Sequence, residues 1–108
     1  MNSNPKMYVI VREDLAYKYI QGSHALVQYA LEHASGFKDW NNGYLIYLSV
    51  FNGLALRKIE EEFVKHGLVF SKFVEPDLES ELPTALAIYE DGTGYVSGFV
   101  KGISLATK

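Results

Sequence analysis

The hydrophobic pattern divides the chain into short apolar runs and longer amphipathic stretches. Met7-Tyr8-Val9-Ile10-Val11 is continuous and apolar, as expected of a strand buried on both faces, and Arg12-Glu13-Asp14 ends it with charge. Residues 17–34 have helical spacing. Ile20, His24, Val27 and Leu31 recur every three or four positions and form one stripe, taken as the inward face, with Gln21 and Gln28 beside it. Ser35-Gly36 supplies the stop. Phe37 to Gly43 reads as a connector with one helical turn around Trp40, closed by the turn signal Asn41-Asn42-Gly43. Tyr44 to Phe51 is rich in aromatic and branched residues and predicts a second strand.

After Asn52-Gly53, the segment Leu54 to His66 predicts a helix. Leu56, Ile59, Phe63 and Val64 are placed on its inner face, Arg57, Lys58, Glu60, Glu61 and Glu62 outside, and Gly67 as its cap. Leu68 to Val74 and Thr84 to Tyr89 predict two further strands, separated by a loop from Glu75 to Pro83. Asp91-Gly92-Thr93-Gly94 is a turn, and Tyr95 to Gly102 a last short helix. The order β-α-β-α-β-β-α predicts an α/β fold: a four-stranded mixed sheet with helices on both faces, in one domain spanning residues 1–108. The short loop between the third and fourth strands allows that pair to be antiparallel.

Composition narrows the function classes. With 48% apolar residues and 14% aromatics, the 108 residues suffice for a core of their own. There is no cysteine, which excludes disulfides, thiolate metal sites and a cysteine nucleophile, and fits a reducing, cytoplasmic setting. The apolar runs are too short for a secretory signal or for the ~18 residues of a membrane span, so no membrane partner is expected. The net charge of −3 is unevenly spread. Residues 1–40 balance, 41–74 carry +1, and 75–108 carry −4 because Glu75, Asp77, Glu79, Glu81, Glu90 and Asp91 face only Lys101 and Lys108. This is not the composition of a strongly basic nucleic-acid binder, and any such contact has to use a local patch.

In open α/β sheets, sites gather beyond the carboxyl ends of parallel strands. Those ends are Arg12-Glu13-Asp14, Asn52-Gly53 and Glu75-Pro76-Asp77, with Gln21 and His24 near the start of the first helix. The first strand with its charged end, then Gln21-Gly22-Ser23-His24-Ala25, then Gly67-Leu68 ahead of Glu75, then Thr84-Ala85-Leu86-Ala87-Ile88, form an ordered set over about residues 7–90. That set resembles the type 2 peptidyl-tRNA hydrolases. The resemblance implies hydrolysis of the ester joining a peptide to the 3′ end of tRNA, with no metal or organic cofactor, tRNA or peptidyl-tRNA as partner, and a homodimer as an open alternative. Carried over by position, His24, Lys18 and Glu75 take catalytic places, and Gln21, Tyr17, Asp77 and Thr84 line the substrate site. The family's lysine position is held by Tyr17, with Lys18 beside it; its aspartate is Glu75, followed by a shorter loop. A non-catalytic relative that binds RNA, a nucleotide or a protein is the alternative.

The same residues have plainer readings. A histidine on an apolar stripe is by itself a packed core residue; the Gln-Gly-Ser-His-Ala surroundings draw His24 toward a site role. The acids from Glu75 to Glu81 lack the central glycine of a calcium loop and read as a solvated segment. His33 and His66 sit at helix ends, where positive charge suits the dipole. Tyr17, Tyr19, Phe37 and Trp40 are read as packing in preference to base-stacking groups. A general esterase is disfavoured, because there is no Gly-x-Ser-x-Gly elbow and Ser23 does not face His24.

Overall fold

A strand that is apolar at every position needs cover on both faces, and the centre of the sheet provides it. In a computed structural model, which describes residues 4–78 and 80–106, β1 (Lys6–Arg12) is the middle strand of the order β3-β4-β1-β2-β5. It runs parallel to β2 (Tyr44–Val50), pairing Tyr8 with Ile46 and Ile10 with Leu48, and antiparallel to β4 (Ala85–Glu90), pairing Tyr8 with Ile88. β3 (Phe70–Phe73) lies antiparallel to β4 at one edge, and β5 (Ser104–Leu105) antiparallel to β2 at the other.

The pleat sorts the core into two layers. Met7, Val9, Val11, Ala85 and Ala87 pack with Ala25 and Tyr29 of α1 (Lys18–Glu32) and Trp40 of α2 (Ala34–Trp40). Tyr8, Ile10, Leu48, Leu86 and Ile88 pack on the opposite face with Leu56 and Phe63 of α3 (Gly53–Lys65) and Val100 of α4 (Tyr95–Val100). Burying each large apolar side chain contributes roughly 1.5–3 kcal/mol, so β1 and β4 carry much of the stability. The α/β class, the mixed sheet and the helices on both faces agree with the pattern. Among the described residues, no helix is long and apolar enough to cross a membrane.

Four expectations are corrected. Among the described residues the sheet has five strands, not four, in the order β-α-α-β-α-β-β-α-β; β5 pairs only at Leu48 and Ser49, too short to leave a periodic signal. The connector around Trp40 is a seven-residue helix, separated from α1 by the non-helical His33 (φ −134°, ψ 60°) and ended by the left-handed Asn41. The α1 stripe faces the other way: Ile20, Val27 and Leu31 are exposed, Leu31 to 74%, while Gly22, Ala25 and Tyr29 are buried. The cause is space, since a Cβ at position 22 would lie 2.7 Å from Tyr47 Cε2, 2.9 Å from Val11 Cγ1 and 3.0 Å from Val9 Cγ1. Finally, Glu60 is buried where an exposed charge was expected, paired with Lys72 of β3 at 2.8 Å and Arg57 at 3.2 Å, while Val64 is exposed.

A second buried carboxylate builds the C-terminal turn. Glu90 Oε2 accepts the N–H groups of Gly92 (2.7 Å) and Gly94 (3.0 Å), and Oε1 that of Ser97 (2.8 Å). Gly92 and Gly94 have φ of 100° and 89°, which glycine adopts without strain. Burial pushes the carboxyl pKa up, but the amides of Ser97, Gly94 and Gly92 more than offset that and hold it below the usual range. The native state therefore binds fewer protons than the unfolded chain. The contribution is present above the unfolded pKa and is lost as pH falls through the lower native value. Glu90→Gln places an amide among three N–H donors, so it is expected to cost on the order of 1–3 kcal/mol at neutral pH, with the deficit shrinking in acid. Urea melts of both proteins across that range check this; a deficit independent of pH contradicts it.

Candidate functional site

The carboxyl end of β1 is held by its own last residue. Arg12 is buried and gives Asp14 a two-pronged bond, Nε to Oδ1 at 3.0 Å and Nη2 to Oδ2 at 2.8 Å, while Nη1 donates to the Pro83 carbonyl at 3.3 Å. The bond from Arg12 holds the Asp14 carboxyl below its ordinary range. The guanidinium also lies against Gly53, where a Cβ would be 2.8 Å from Nη1, and Asn52 Oδ1 caps α3 by accepting the Ala55 N–H at 2.9 Å. Arg12 thus ties together the turn after β1, the start of α3 and the residue leading into Thr84. In the sequence Arg12 shows only as a charge ending a strand; an arginine closing a buried strand two residues before an aspartate is the available signal.

Three expected residues from distant segments meet at this end. Gln21 Nε2 donates to Glu75 Oε2 at 3.2 Å, and Thr84 Oγ1 lies 2.9 Å from Gln21 Oε1 and 3.0 Å from the Phe73 carbonyl. With the Gln21 NH2 facing the Glu75 carboxyl, Gln21 Oε1 faces Thr84, whose hydroxyl donates to it. Thr84 is completely buried and Glu75 half-buried, so the carboxylate sits at the mouth of a network rooted in the core.

The remaining expected residues lie around this line. Lys18, at the first position of α1, forms an ion pair with Glu13 and lies 5.3 Å from the centre of the Tyr19 ring; its side chain is only 13% exposed. It shares a helical face with Gln21, three positions on. Tyr17 caps the helix and is 70% exposed, so at the resemblance's lysine position the chain points an aromatic ring outward. His24 is exposed, one turn beyond Gln21, and stacks on Phe73 with ring centres 4.5 Å apart and planes 15° apart. Among the described residues it makes no hydrogen bond to Gln21 or Glu75. Phe73 is a site neighbour that no sequence pattern singles out. Asp77 gives Glu75 Oε1 its backbone N–H at 3.4 Å, and its carboxylate faces solvent. Glu79 of the acidic loop lies outside the described residues. Among the described residues, no three histidines or carboxylates gather as metal ligands.

The chemical capacity of this end is that of a half-buried carboxylate in a fixed orientation, with an imidazole one helical turn away and a lysine one turn before. Thr84→Val keeps the shape and removes the donor, leaving Gln21 Oε1 facing an apolar group. A loss of about 1–3 kcal/mol is expected by denaturant melting, with the backbone bond from Thr84 N to the Phe73 carbonyl (2.8 Å) retained. Unchanged stability contradicts the Thr84–Gln21 hydrogen bond.

No protein-family model matches the chain, and no curated protein matches it in sequence. Among solved structures, a protein of unknown function from Agrobacterium tumefaciens strain C58 is similar over 97% of this chain and 99% of that one, with a TM-score of 0.61 and 15% sequence identity. At that identity the likeness shows a shared fold and nothing about function.

Proposed function

We propose that the carboxyl end of β1 is an acyl-ester hydrolase site of the type 2 peptidyl-tRNA hydrolase pattern, acting on the ester between a peptide and the 3′ end of tRNA in the cytoplasm. The supporting observation is the hydrogen-bonded line Thr84–Gln21–Glu75, which joins three positions that the family resemblance picks out separately. In this reading the Glu75 carboxylate takes a proton from water as the water oxygen attacks the ester carbonyl. Gln21 keeps the carboxylate aimed, and Thr84 keeps Gln21 from turning over. Lys18, on the same helical face, offsets the negative charge that develops on the carbonyl oxygen. His24, at the rim, gives a proton to the departing ribose oxygen, and the exposed ring of Tyr17 stacks on a terminal base.

One observation favours a second reading, a binding protein of the same fold without turnover. Lys18 is neutralised by Glu13, and Tyr17 stands where the resemblance expects a free lysine.

The decisive assay is release of peptide from a blocked peptidyl-tRNA by the purified chain. Turnover is expected, with Glu75→Gln lowering it by roughly 100–10,000-fold and His24→Ala lowering it less. No turnover at high enzyme concentration overturns the hydrolase reading. If tRNA affinity then persists and falls with salt, the binding reading takes its place.

A further inference from the structure

At the opposite end of the sheet from Glu75 lies a cavity of about 240 Å³. Three tyrosines, Tyr29, Tyr89 and Tyr95, line it together with Asp91, Thr93 and two valines. Tyr29 is buried, Tyr89 half-buried and Tyr95 58% exposed, so the rings run from floor to rim. The space is below the 300–1,000 Å³ typical of drug-sized ligands and suits a small head group.

The formal charge on the cavity lining has one sign, and the His33 ring, which packs on Tyr29 with centres 4.9 Å apart, is not among the lining groups. None of the lining residues is basic. The N–H groups of Gly92, Gly94 and Ser97, which would draw an anion to the start of α4, are already taken by Glu90. Asp91 Oδ1 accepts the Thr93 N–H at 3.0 Å and the Thr93 hydroxyl at 2.8 Å, and these bonds hold the carboxyl in its ionised form, below its usual range. The second Asp91 oxygen takes no part in them. Burial, and then the charges of Asp39, Asp91 and Glu90, push the Tyr89 hydroxyl up, and burial pushes Tyr29 up to about 12, so these phenols stay neutral. What faces the cavity is therefore neutral aromatic surface beside a fixed negative charge.

We propose that this cavity binds a small organic cation, a methylated or alkyl ammonium, with the rings of Tyr29, Tyr89 and Tyr95 around the cationic head and Asp91 as its counter-charge. The negative faces of aromatic rings attract a cation within about 6 Å, and they do so more strongly where water is partly excluded. The assignment is independent of the chemistry at Glu75, which lies at the other end of β1.

The test is an NMR titration of the full chain, following backbone amides, with choline and with 3,3-dimethylbutanol, which has nearly the same shape and no charge. Choline is expected to shift amides from residues 89–96 saturably, with the neutral alcohol about tenfold weaker or worse. Asp91→Asn, which preserves the turn with Thr93, and Tyr95→Leu are each expected to weaken choline severalfold, whereas Tyr95→Phe retains it. Equal affinity for the alcohol, no saturable shift with choline, or shifts indifferent to both weakening variants overturns the proposal. Phosphatidylcholine vesicles separate the sources of the head group. A chain that binds choline and stays in solution uses the free cation, and one that sediments with vesicles without responding to choline refutes that use.

Discussion

The close approach of α1 to the sheet at Gly22 sets most of what this molecule presents. Val9, Val11 and Tyr47 fill the space that a side chain at position 22 would need, so the helix can lie down only on its smallest side, with Ala25 a turn further along. That fixes its rotation. Gln21 is turned toward Glu75 and Thr84, and Lys18 toward Glu13, while Tyr17, Ile20, Val27 and Leu31 are carried to the outside. An alanine there would gain about 1 kcal/mol in helix propensity, but fitting extra volume against two stiff valines costs typically 1–3 kcal/mol. At this position packing outweighs propensity.

Much of the fold was legible because continuous apolar strands have few places to go. Met7 to Val11 can be covered on both faces only in mid-sheet, and that is where β1 lies. Periodicity on α1 identified residues that share a face without saying which face turns inward. Size argued for Ile20, Val27 and Leu31, but the sheet surface beneath had room only for glycine and alanine. β5 escaped because two residues carry no period. Glu60 and Glu90 escaped because an acid's ordinary place is in water; each is buried with partners that no local pattern reveals, Lys72 and Arg57 for one and three backbone amides for the other.

The site was legible to a different degree. Glu75 and Thr84 lie 54 and 63 positions beyond Gln21 along the chain, and no local rule connects them to it; only the ordered resemblance grouped them. The same resemblance could not say where the side chains of Tyr17 and Lys18 would point at the helix start, one into solvent and the other toward Glu13. Arg12, which ties the turn after β1 to the segment entering β4, was hidden for a general reason: an arginine at a strand end looks like a surface residue until its guanidinium finds a buried carbonyl.

The central position of β1 has a consequence for how the chain becomes folded. Tyr8 pairs with Ile46 and with Ile88, partners 38 and 80 positions further on. Nearly every stabilising contact of the first strand thus requires a long loop to close before it returns any free energy. During synthesis the first half of the molecule has two helices and one parallel partner for β1, but the strand's other edge stays open, with its N–H and C=O groups exposed, until Ala85 to Glu90 have been made. Such an edge is a template for pairing with other chains. Pairing with β4 closes that edge of β1, and the outer edge of β2 gains its partner at Leu48 and Ser49 only when β5 follows.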